Sequence, residues 1–278
     1  MTEIPPFLTT GKFALLACGG ALPQHILNHL PTSVIRPFIV GFKEFHPEIE
    51  CDIMISVGQV GKLFSLLRTQ NIKHFCLAGY AHRPMLRHLR FDCKGLYTAW
   101  HLSKKFKTGD DNLLSSLIHI FKHNGFAPLS IPEICPALTM PLGALGYYEP
   151  DTQQRESFNY GQRLLETLSP YDMGQAIAIA GQVVLAVETL EGTDEMIKRC
   201  QNIPAHRRKA LPPAIFIKSP KQGQTPYADL PVFGLKTLHH LHESGFKGAF
   251  LKAHHLILVD IDQIIDYANK HNLFIYGF

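Results

Sequence analysis

The sequence of 278 residues lacks the motifs that define the commonest metal, redox and nucleotide sites. Its six cysteines form no C-x-x-C pair, which excludes a zinc ribbon and a thioredoxin-type redox motif. Neither G-x-G-x-x-G nor a Walker A motif occurs, so the dinucleotide fingerprint and the P-loop are both excluded. The sixteen histidines include no H-E-x-x-H zinc motif. Any functional site must therefore be inferred from the placement of less specific residues.

Long apolar runs and a strong charge imbalance are also missing. No stretch reaches the roughly 18 apolar residues of a membrane-spanning helix, and the start of the chain shows no signal-peptide pattern. The net charge of +4 is too small to indicate nucleic-acid binding, although it favours an anionic substrate or membrane surface. We expect a cytoplasmic protein, peripheral to a membrane at most, without a nucleic-acid partner.

What the sequence does contain is an α/β pattern. With 46% hydrophobic and 18% charged residues, it can form a substantial core. We predict an N-terminal Rossmann-like domain with a parallel sheet over residues 1–150 and a C-terminal mixed α/β domain over 151–278. The Pro- and Gly-rich stretch Ala127–Pro150 is interpreted as the linker.

Three predicted strands of the N-terminal half end in glycine-containing loops. These strands are Phe13–Ala17, Asp52–Ser56 and His74–Ala78. Because the carboxyl ends of parallel strands share one edge of a sheet, we expect these loops to approach a ligand there; tight turns alone are the alternative. The candidate ligand-binding residues are Gly19, Gly20, Gly58, Gln59 and Gly79.

A basic stretch follows the third of these loops. Arg83, Arg87, Arg90 and Lys94 are spaced by four, three and four residues, which predicts one basic face of a helix. Such a face suits an anionic membrane or a phosphate group, and a merely solvated face is the alternative.

An acidic cluster precedes a helix in the C-terminal half. Glu188, Glu191 and Asp194 surround Thr193, which is predicted to be the N-cap. Two glutamates before a cap exceed what capping needs. A role in binding substrate or metal therefore stands beside a purely structural one.

The stretch from Ala214 to Gly234 carries the strongest functional pattern. A buried strand ending at Ile217 is followed by a Gly- and Pro-rich loop and then by a helix, the arrangement in which open α/β proteins bind ligands. The loop contains Lys218 and Lys221, and Asp229 is its one acid. This composition indicates metal-assisted work on a phosphate ester. A surface loop with an Asx turn before Pro231 is the alternative.

The ordered motifs together resemble one enzyme family. They are CGGALP, VGQVGKL, AGYAHRP, GDDNLL, DMGQAIAI, LAVETLEGTDEMI and KSPKQGQTPYADLPVFGLKT. This order is similar to that of the LpxI-type UDP-2,3-diacylglucosamine pyrophosphatases of lipid A biosynthesis. The resemblance covers nearly the whole chain.

The resemblance implies a reaction and a binding site. Family members hydrolyse UDP-2,3-diacylglucosamine to UMP and 2,3-diacylglucosamine 1-phosphate (lipid X), with water attacking the α-phosphate. They need a divalent cation, typically Mg²⁺, and hold the lipid in a cleft between two domains. A homodimer is also implied, while the basic residues favour the anionic surface of the inner membrane as a further partner.

The resemblance assigns a role to Asp229, and the residue pattern supplies further candidates for the site. Asp229 corresponds to the essential aspartate and is expected to bind the metal or position water, with Glu188 and Asp194 as further metal candidates. Lys218 and Lys221 are expected to stabilise charge in the transition state. Expected substrate contacts are the five loop residues named above with Arg83, Glu191 and Thr193.

Two positions depart from the family pattern near the essential aspartate. Thr225 and Tyr227 stand where an acid and an arginine are usual. A non-catalytic nucleotide- or lipid-binding protein of the same fold is therefore the main alternative. A nucleotide-binding oxidoreductase and a basic membrane-surface scaffold are two others.

Overall fold

The computed structural model describes residues 5–81, 89–103, 110–171, 173–221, 223–227 and 230–278. The chain forms two compact units. The first comprises Met1–Leu138 with Thr225–Asp229, and the second comprises Thr139–Gln224 with Leu230–Phe278. The division thus follows residue 138, whereas the composition of the sequence placed it after residue 150. Both units have the α/β architecture that was predicted.

A parallel sheet forms the centre of the first unit. Its strands, among the described residues, are β1 (Ala14–Ala17), β2 (Phe38–Phe42), β3 (Ile53–Ile55), β4 (His74–Ala78) and β5 (Ala127–Leu129), in the order β3-β2-β1-β4-β5. All adjacent pairs are parallel. Every residue of β1 is buried, as expected of a central strand between two layers of helices. The predicted parallel sheet is confirmed.

Helices follow most of these strands. They are α1 (Phe7–Thr10), α2 (Leu22–His29), α3 (Val60–Thr69), α4 (Cys93–Ser103), α5 (Asp110–His123) and α6 (Ile131–Ile134). The prediction of a single basic helical face was wrong for its described part, because Arg90 precedes α4 and lies outside the helix that contains Lys94. Arg83 and Arg87 lie outside the described residues.

The stretch expected to be a linker instead supplies an edge strand to each unit. Strand β5 pairs with β4, and β6 (Gly143–Ala144) pairs with the last strand of the chain. Between them, Ser130 and Glu133 form a capping box at the start of α6. Proline and glycine suit such short edge strands as well as linkers, so composition alone could not separate the two cases.

A mixed sheet forms the centre of the second unit. Its remaining strands are β7 (Ala176–Ala180), β8 (Val183–Val187), β9 (Ile215–Lys218), β11 (Gly248–Leu251) and β13 (Phe274–Gly277), in the order β6-β13-β11-β9-β7-β8. Strands β9, β11 and β13 are parallel, while β7 runs antiparallel to β9 and forms a hairpin with β8. Strands β10 (Val232–Phe233) and β12 (Ile257–Leu258) form a separate parallel pair.

Two sets of helices cover this sheet. They are α7 (Thr152–Leu168), α8 (Thr193–Gln201), α9 (Ala205–Lys209), α10 (Leu235–Glu243) and α11 (Ile261–Lys270). Helix α7 packs on the face that carries Ile215 and Ile217, whereas α8 and α10 pack on the face that carries Phe216. Side chains alternate along a strand, so Lys218 belongs to the α8 and α10 face.

The cysteines form no disulfide bond. All six are free thiols, and Cys18, Cys76, Cys135 and Cys200 are buried as small core residues.

Candidate active site

A buried lysine closes the base of the loop that carries Asp229. Lys218 is the last residue of β9, and its side chain is only 7% exposed. Its ammonium group donates hydrogen bonds to Thr193 Oγ1 and to the carbonyl oxygen of Val232, both at 3.0 Å. Lys218 precedes the loop of residues 219–231 and Val232 follows it. The second bond therefore ties the two ends of the loop together.

The network continues through a hydroxyl group to a carboxylate. Thr193 Oγ1 donates to Glu188 Oε1 at 2.6 Å, and Glu188 Oε2 accepts from the backbone N–H of Gln175 at 2.8 Å. Burial lowers the pKa of the Lys218 ammonium below its ordinary value, although the negative charges of Glu188 and Asp194 oppose that shift. The chain of ammonium, hydroxyl and carboxylate groups satisfies polar atoms that would otherwise be costly to bury.

Asp194 follows Thr193 in helix α8 and has its own hydrogen-bond and ion-pair partners. Its carboxylate oxygens are 3.0 Å from Lys236 Nζ and 3.1 Å from Thr237 Oγ1, which donates to it. His240 Nδ1 is buried 3.5 Å from Asp194 Oδ1 and has no hydrogen-bond partner within the described chain. Burial alone would raise the pKa of Asp194. The hydrogen bonds from Lys236 and Thr237 and the nearby positive charges outweigh it and lower that pKa.

One prediction for this helix is wrong, and one neighbouring candidate lies outside the network, its predicted substrate contact remaining a prediction. Gly192, not Thr193, is the N-cap of α8; Thr193 is the first helical residue, and its hydroxyl is used by Lys218 and Glu188. Glu191 does not belong to the network. It is exposed, forms an ion pair with Arg199 at 2.8 Å and accepts a hydrogen bond from Thr189.

A cavity lies on the opposite face of the same sheet. Its volume is about 280 Å³, and it opens where the parallel strands β9, β11 and β13 end. Lys221, Lys252 and His255 contribute basic groups to its lining, and Phe278 contributes an aromatic ring. The carboxyl edge of parallel strands is the usual ligand position in open α/β sheets. Sequence reasoning missed Lys252 and His255, although both follow the end of β11 within four residues.

Comparison with known proteins identifies the family of the chain. The model of the LpxI N-terminal domain matches residues 12–138, and that of the LpxI C-terminal domain matches residues 141–276. The UDP-2,3-diacylglucosamine pyrophosphatase LpxI of Caulobacter vibrioides is 30% identical over 275 residues, which cover 96% of this chain and 97% of the relative. The chain belongs to the LpxI family. The resemblance seen in the ordered motifs is thereby confirmed.

The glycines of the first LpxI motif meet at one edge of the N-terminal sheet. Gly19 and Tyr80 exchange two backbone hydrogen bonds of 3.0 Å, and a Cβ atom on Gly79 would come within 2.4 Å of the Gly19 oxygen. Gly20 and Gly79 both adopt positive φ, which favours glycine. The Tyr80 ring covers Gly19 and Gly20. These close contacts are between protein groups, and the predicted approach of the glycines to a ligand stays a prediction.

The second glycine loop is also occupied by protein groups. A Cβ atom on Gly58 would lie 2.7 Å from the carbonyl oxygen of Arg90. Gln59 Oε1 accepts the backbone N–H of Ser56 at 3.0 Å, and Ser56 Oγ donates to Glu44 at 2.5 Å. Gly58 and Gln59 thus shape the loop between β3 and α3. Whether they also touch substrate stays a prediction.

One departure from the LpxI pattern has a structural role. Tyr227, where the family usually has arginine, is half-buried against the apolar core of the first unit. Lys122 Nζ lies 5.2 Å from the centre of its ring, a cation–π distance. The substitution therefore replaces a charged side chain by an aromatic one that packs. Asp229 and Arg83 lie outside the described residues, so their predicted roles stay predictions.

Glu188 and Asp194 are the two described carboxylates that the sequence suggested as Mg²⁺ ligands. Within the described ranges, no group of three or more His, Cys, Asp or Glu side chains could hold an ion. Glu188 and Asp194 each accept hydrogen bonds from protein donors. The hydroxyl group of Thr193 bridges Glu188 to the positively charged ammonium group of Lys218. These two carboxylates do not by themselves fit a metal site.

Proposed function

We propose that this LpxI-family chain hydrolyses UDP-2,3-diacylglucosamine to UMP and 2,3-diacylglucosamine 1-phosphate (lipid X). The observation that carries the proposal is the match of both family domains, in order, together with near full-length similarity to a relative named for this substrate. The curated name also indicates the bond that is cleaved, a phosphoric anhydride.

The reaction exchanges one phosphorus–oxygen bond for another. The oxygen of water bonds to the α-phosphorus, and the bond from that phosphorus to the bridging oxygen breaks. The bridging oxygen leaves with the β-phosphate as the sugar 1-phosphate, and the proton released by water passes to a base or to solvent. Protein groups must orient the diphosphate and stabilise its developing negative charge.

The geometry supports different roles for Lys218, at the end of β9, and Lys221, in the loop that follows. The Lys218 ammonium is buried and bound to Thr193 and Val232, so we assign it to positioning the loop that carries Asp229. Lys221 lines the cavity with Lys252 and His255, so we assign these three residues to the phosphate oxygens. Asp229 is proposed to orient the attacking water.

We also propose that the reaction requires a divalent cation, most simply Mg²⁺. Magnesium commonly uses one or two carboxylates and completes its shell with water and phosphate oxygens, so Asp229 could serve without Glu188 or Asp194. When bound, such an ion would neutralise charge on the phosphates. Loss of UMP release in EDTA, restored by added Mg²⁺, is the expected result; full activity in EDTA would refute this part.

The central test measures UMP release by Asp229→Ala and by a matched control. Asp266 is an exposed aspartate of α11, so Asp266→Ala should retain wild-type turnover. We expect Asp229→Ala to lose at least about a hundredfold in kcat, the scale of removing a catalytic acid or base. In ¹⁸O-labelled water, the label should enter UMP and not the sugar phosphate.

The outcomes separate the proposal from its main alternative. Near-normal turnover in Asp229→Ala would remove this aspartate from the chemistry. Wild-type protein that binds the diacylated UDP-sugar but releases no UMP would instead be a non-catalytic binding protein. Label in the sugar phosphate would place the attack on the β-phosphorus. The homodimer implied by the family is a separate prediction that sedimentation velocity can test.

A further inference from the structure

Helix α4 presents its large apolar side chains outward. Leu96, Tyr97 and Trp100 are 62%, 64% and 59% exposed, and Cys93 is exposed as well. At 3.6 residues per turn these four positions share one face of the helix. A surface helix normally places its apolar side chains toward the core, so this arrangement is inverted.

The inward side of the same helix explains the inversion. Gly95 is buried, and a Cβ atom there would overlap the carbonyl oxygen of Gly58. Thr98, one turn further along the helix, is also buried. Small residues let α4 lie directly against the loop after β3, and no large side chain of the helix is needed to fill that contact. The outward apolar face is therefore not left over from core packing.

Basic residues predominate in the sequence that includes and flanks α4. The single acid next to the helix, Asp92, accepts the backbone N–H groups of Lys62 and Gly95 at 2.9 and 2.7 Å. The sequence from Arg83 to Lys107 contains seven lysines and arginines against that one acid. Of these, Arg90 is exposed and lies three residues before the first residue of the helix. An anionic surface is the complementary partner.

We propose that the outward face of α4 (Cys93, Leu96, Tyr97 and Trp100) docks on an anionic lipid bilayer. Tryptophan and tyrosine are favoured at the headgroup level, where their rings are half in apolar and half in polar surroundings. A helix with an apolar face beside basic residues binds in the plane of the interface. No described helix is long and apolar enough to cross a membrane. Docking would bring the chain to the surface where a diacylated substrate resides, but the proposal stands without the hydrolysis proposed above.

The chain contains its own reporter for this contact. Trp100 is the sole tryptophan of the sequence, so tryptophan emission reports on this face alone. The purified protein is titrated with phosphatidylcholine vesicles in which roughly one third of the lipid is anionic phosphatidylglycerol. We expect a blue shift of the emission, quenching by brominated acyl chains, and co-flotation with the vesicles. Neutral vesicles or about 0.5 M salt should weaken all three signals.

A matched pair of variants keeps the reporter in place. Leu96→Ser with Tyr97→Ser removes two side chains of the face and leaves Trp100. Tyr171→Ser with Leu190→Ser removes a tyrosine and a leucine that are even more exposed, from the second unit. We expect the first variant to partition onto vesicles at least about tenfold more weakly, and the second to bind like wild type. Because all four positions are exposed, circular dichroism and Tm should stay unchanged in both.

Three results would overturn the proposal. The first is the absence of flotation and of any spectral shift, and the second is equal vesicle binding by the two variants. The third is a blue shift that needs no vesicles. If the shift arises with protein concentration, the face binds a second copy of the chain. If it arises only with the diacylated sugar phosphate, the face binds the acyl chains. All three are read without an activity assay, so they are independent of whether UMP is released.

Discussion

Replacing Lys218 by methionine should weaken both the second unit and its loop. Methionine fills a similar volume but donates no hydrogen bond, so the Val232 carbonyl and Thr193 Oγ1 each lose a donor at 3.0 Å. Removing one partner from a buried charged network costs about 3–5 kcal/mol, and an unsatisfied buried carbonyl costs about 1–3 kcal/mol within that sum. The released desolvation cost of the ammonium group offsets part of the loss. We expect a net decrease of about 2–3 kcal/mol in the free energy of unfolding.

The measurement is urea unfolding of the transition that contains the second unit. Lys247→Met is the control, because Lys247 is exposed in the same unit and should change stability by less than about 0.5 kcal/mol. Adding Thr193→Val to Lys218→Met completes a double-mutant cycle. A coupling energy of about 1–2 kcal/mol is expected if the hydroxyl bridges the ammonium and carboxylate groups.

The lowered pKa of Lys218 predicts the direction in which stability changes with pH. Its pKa is lower in the folded state than in the unfolded state, so the unfolded chain binds more protons below the ordinary lysine pKa. Wild-type stability therefore gains from this group as pH rises through that window, and the difference from Lys218→Met should widen there. A variant as stable as Lys247→Met at every pH would refute the network. A destabilised variant with normal UMP release would show that the network does not position the loop.

The remaining predictions concern two aspartates. Asp194→Asn should cost about 1–2 kcal/mol near neutral pH, because Lys236 and Thr237 lose a charged acceptor. Since the pKa of Asp194 is lowered on folding, this difference should be complete above the ordinary aspartate pKa and be lost as pH falls through the lower pKa of the folded state. Urea midpoints at pH 7 and at a series of acidic pH values test this, and a difference that does not shrink with acidification would contradict it. Asp92→Ala should cost about 1–2 kcal/mol, because its carboxylate accepts N–H groups at the starts of both α3 and α4. Asp92→Asn should recover part of that loss in thermal denaturation, and equal Tm values for all three proteins would rule out the capping role.

Local sequence patterns were enough to place most of the secondary structure. Short apolar runs ending in glycine predicted β1, β3 and β4, and the alternating pattern around Gly181 predicted the β7–β8 hairpin. The stretch from Ser33 to Val40 also suggests a strand in the sequence, but β2 begins only at Phe38, after Pro37. Proline has no N–H group to donate to a ladder, which explains the later start.

Contacts between distant residues could not be predicted in the same way. Lys218 is 25 residues from Thr193 in sequence, and nothing in either segment shows that the hydroxyl meets the ammonium group. For the same reason Thr193 was expected to be a cap. The outward face of α4 was missed because the sequence shows apolar residues at helical spacing and cannot say which side meets the core.

The strand alternation of β9 changes how the cations of the Asp229 loop should be understood. Lys218 and Lys221 are three residues apart and look equivalent in sequence, yet the sheet separates them. Lys218 is buried on the α8 face, where its charge is used by Thr193 and Val232, and Lys221 lines the cavity on the α7 face. A charge that already serves two buried acceptors contributes little to a phosphate on the other side of a sheet. Under the proposed function we therefore assign the charge that meets the substrate to Lys221 and to the residues after β11, with Lys218 acting through the shape of the loop.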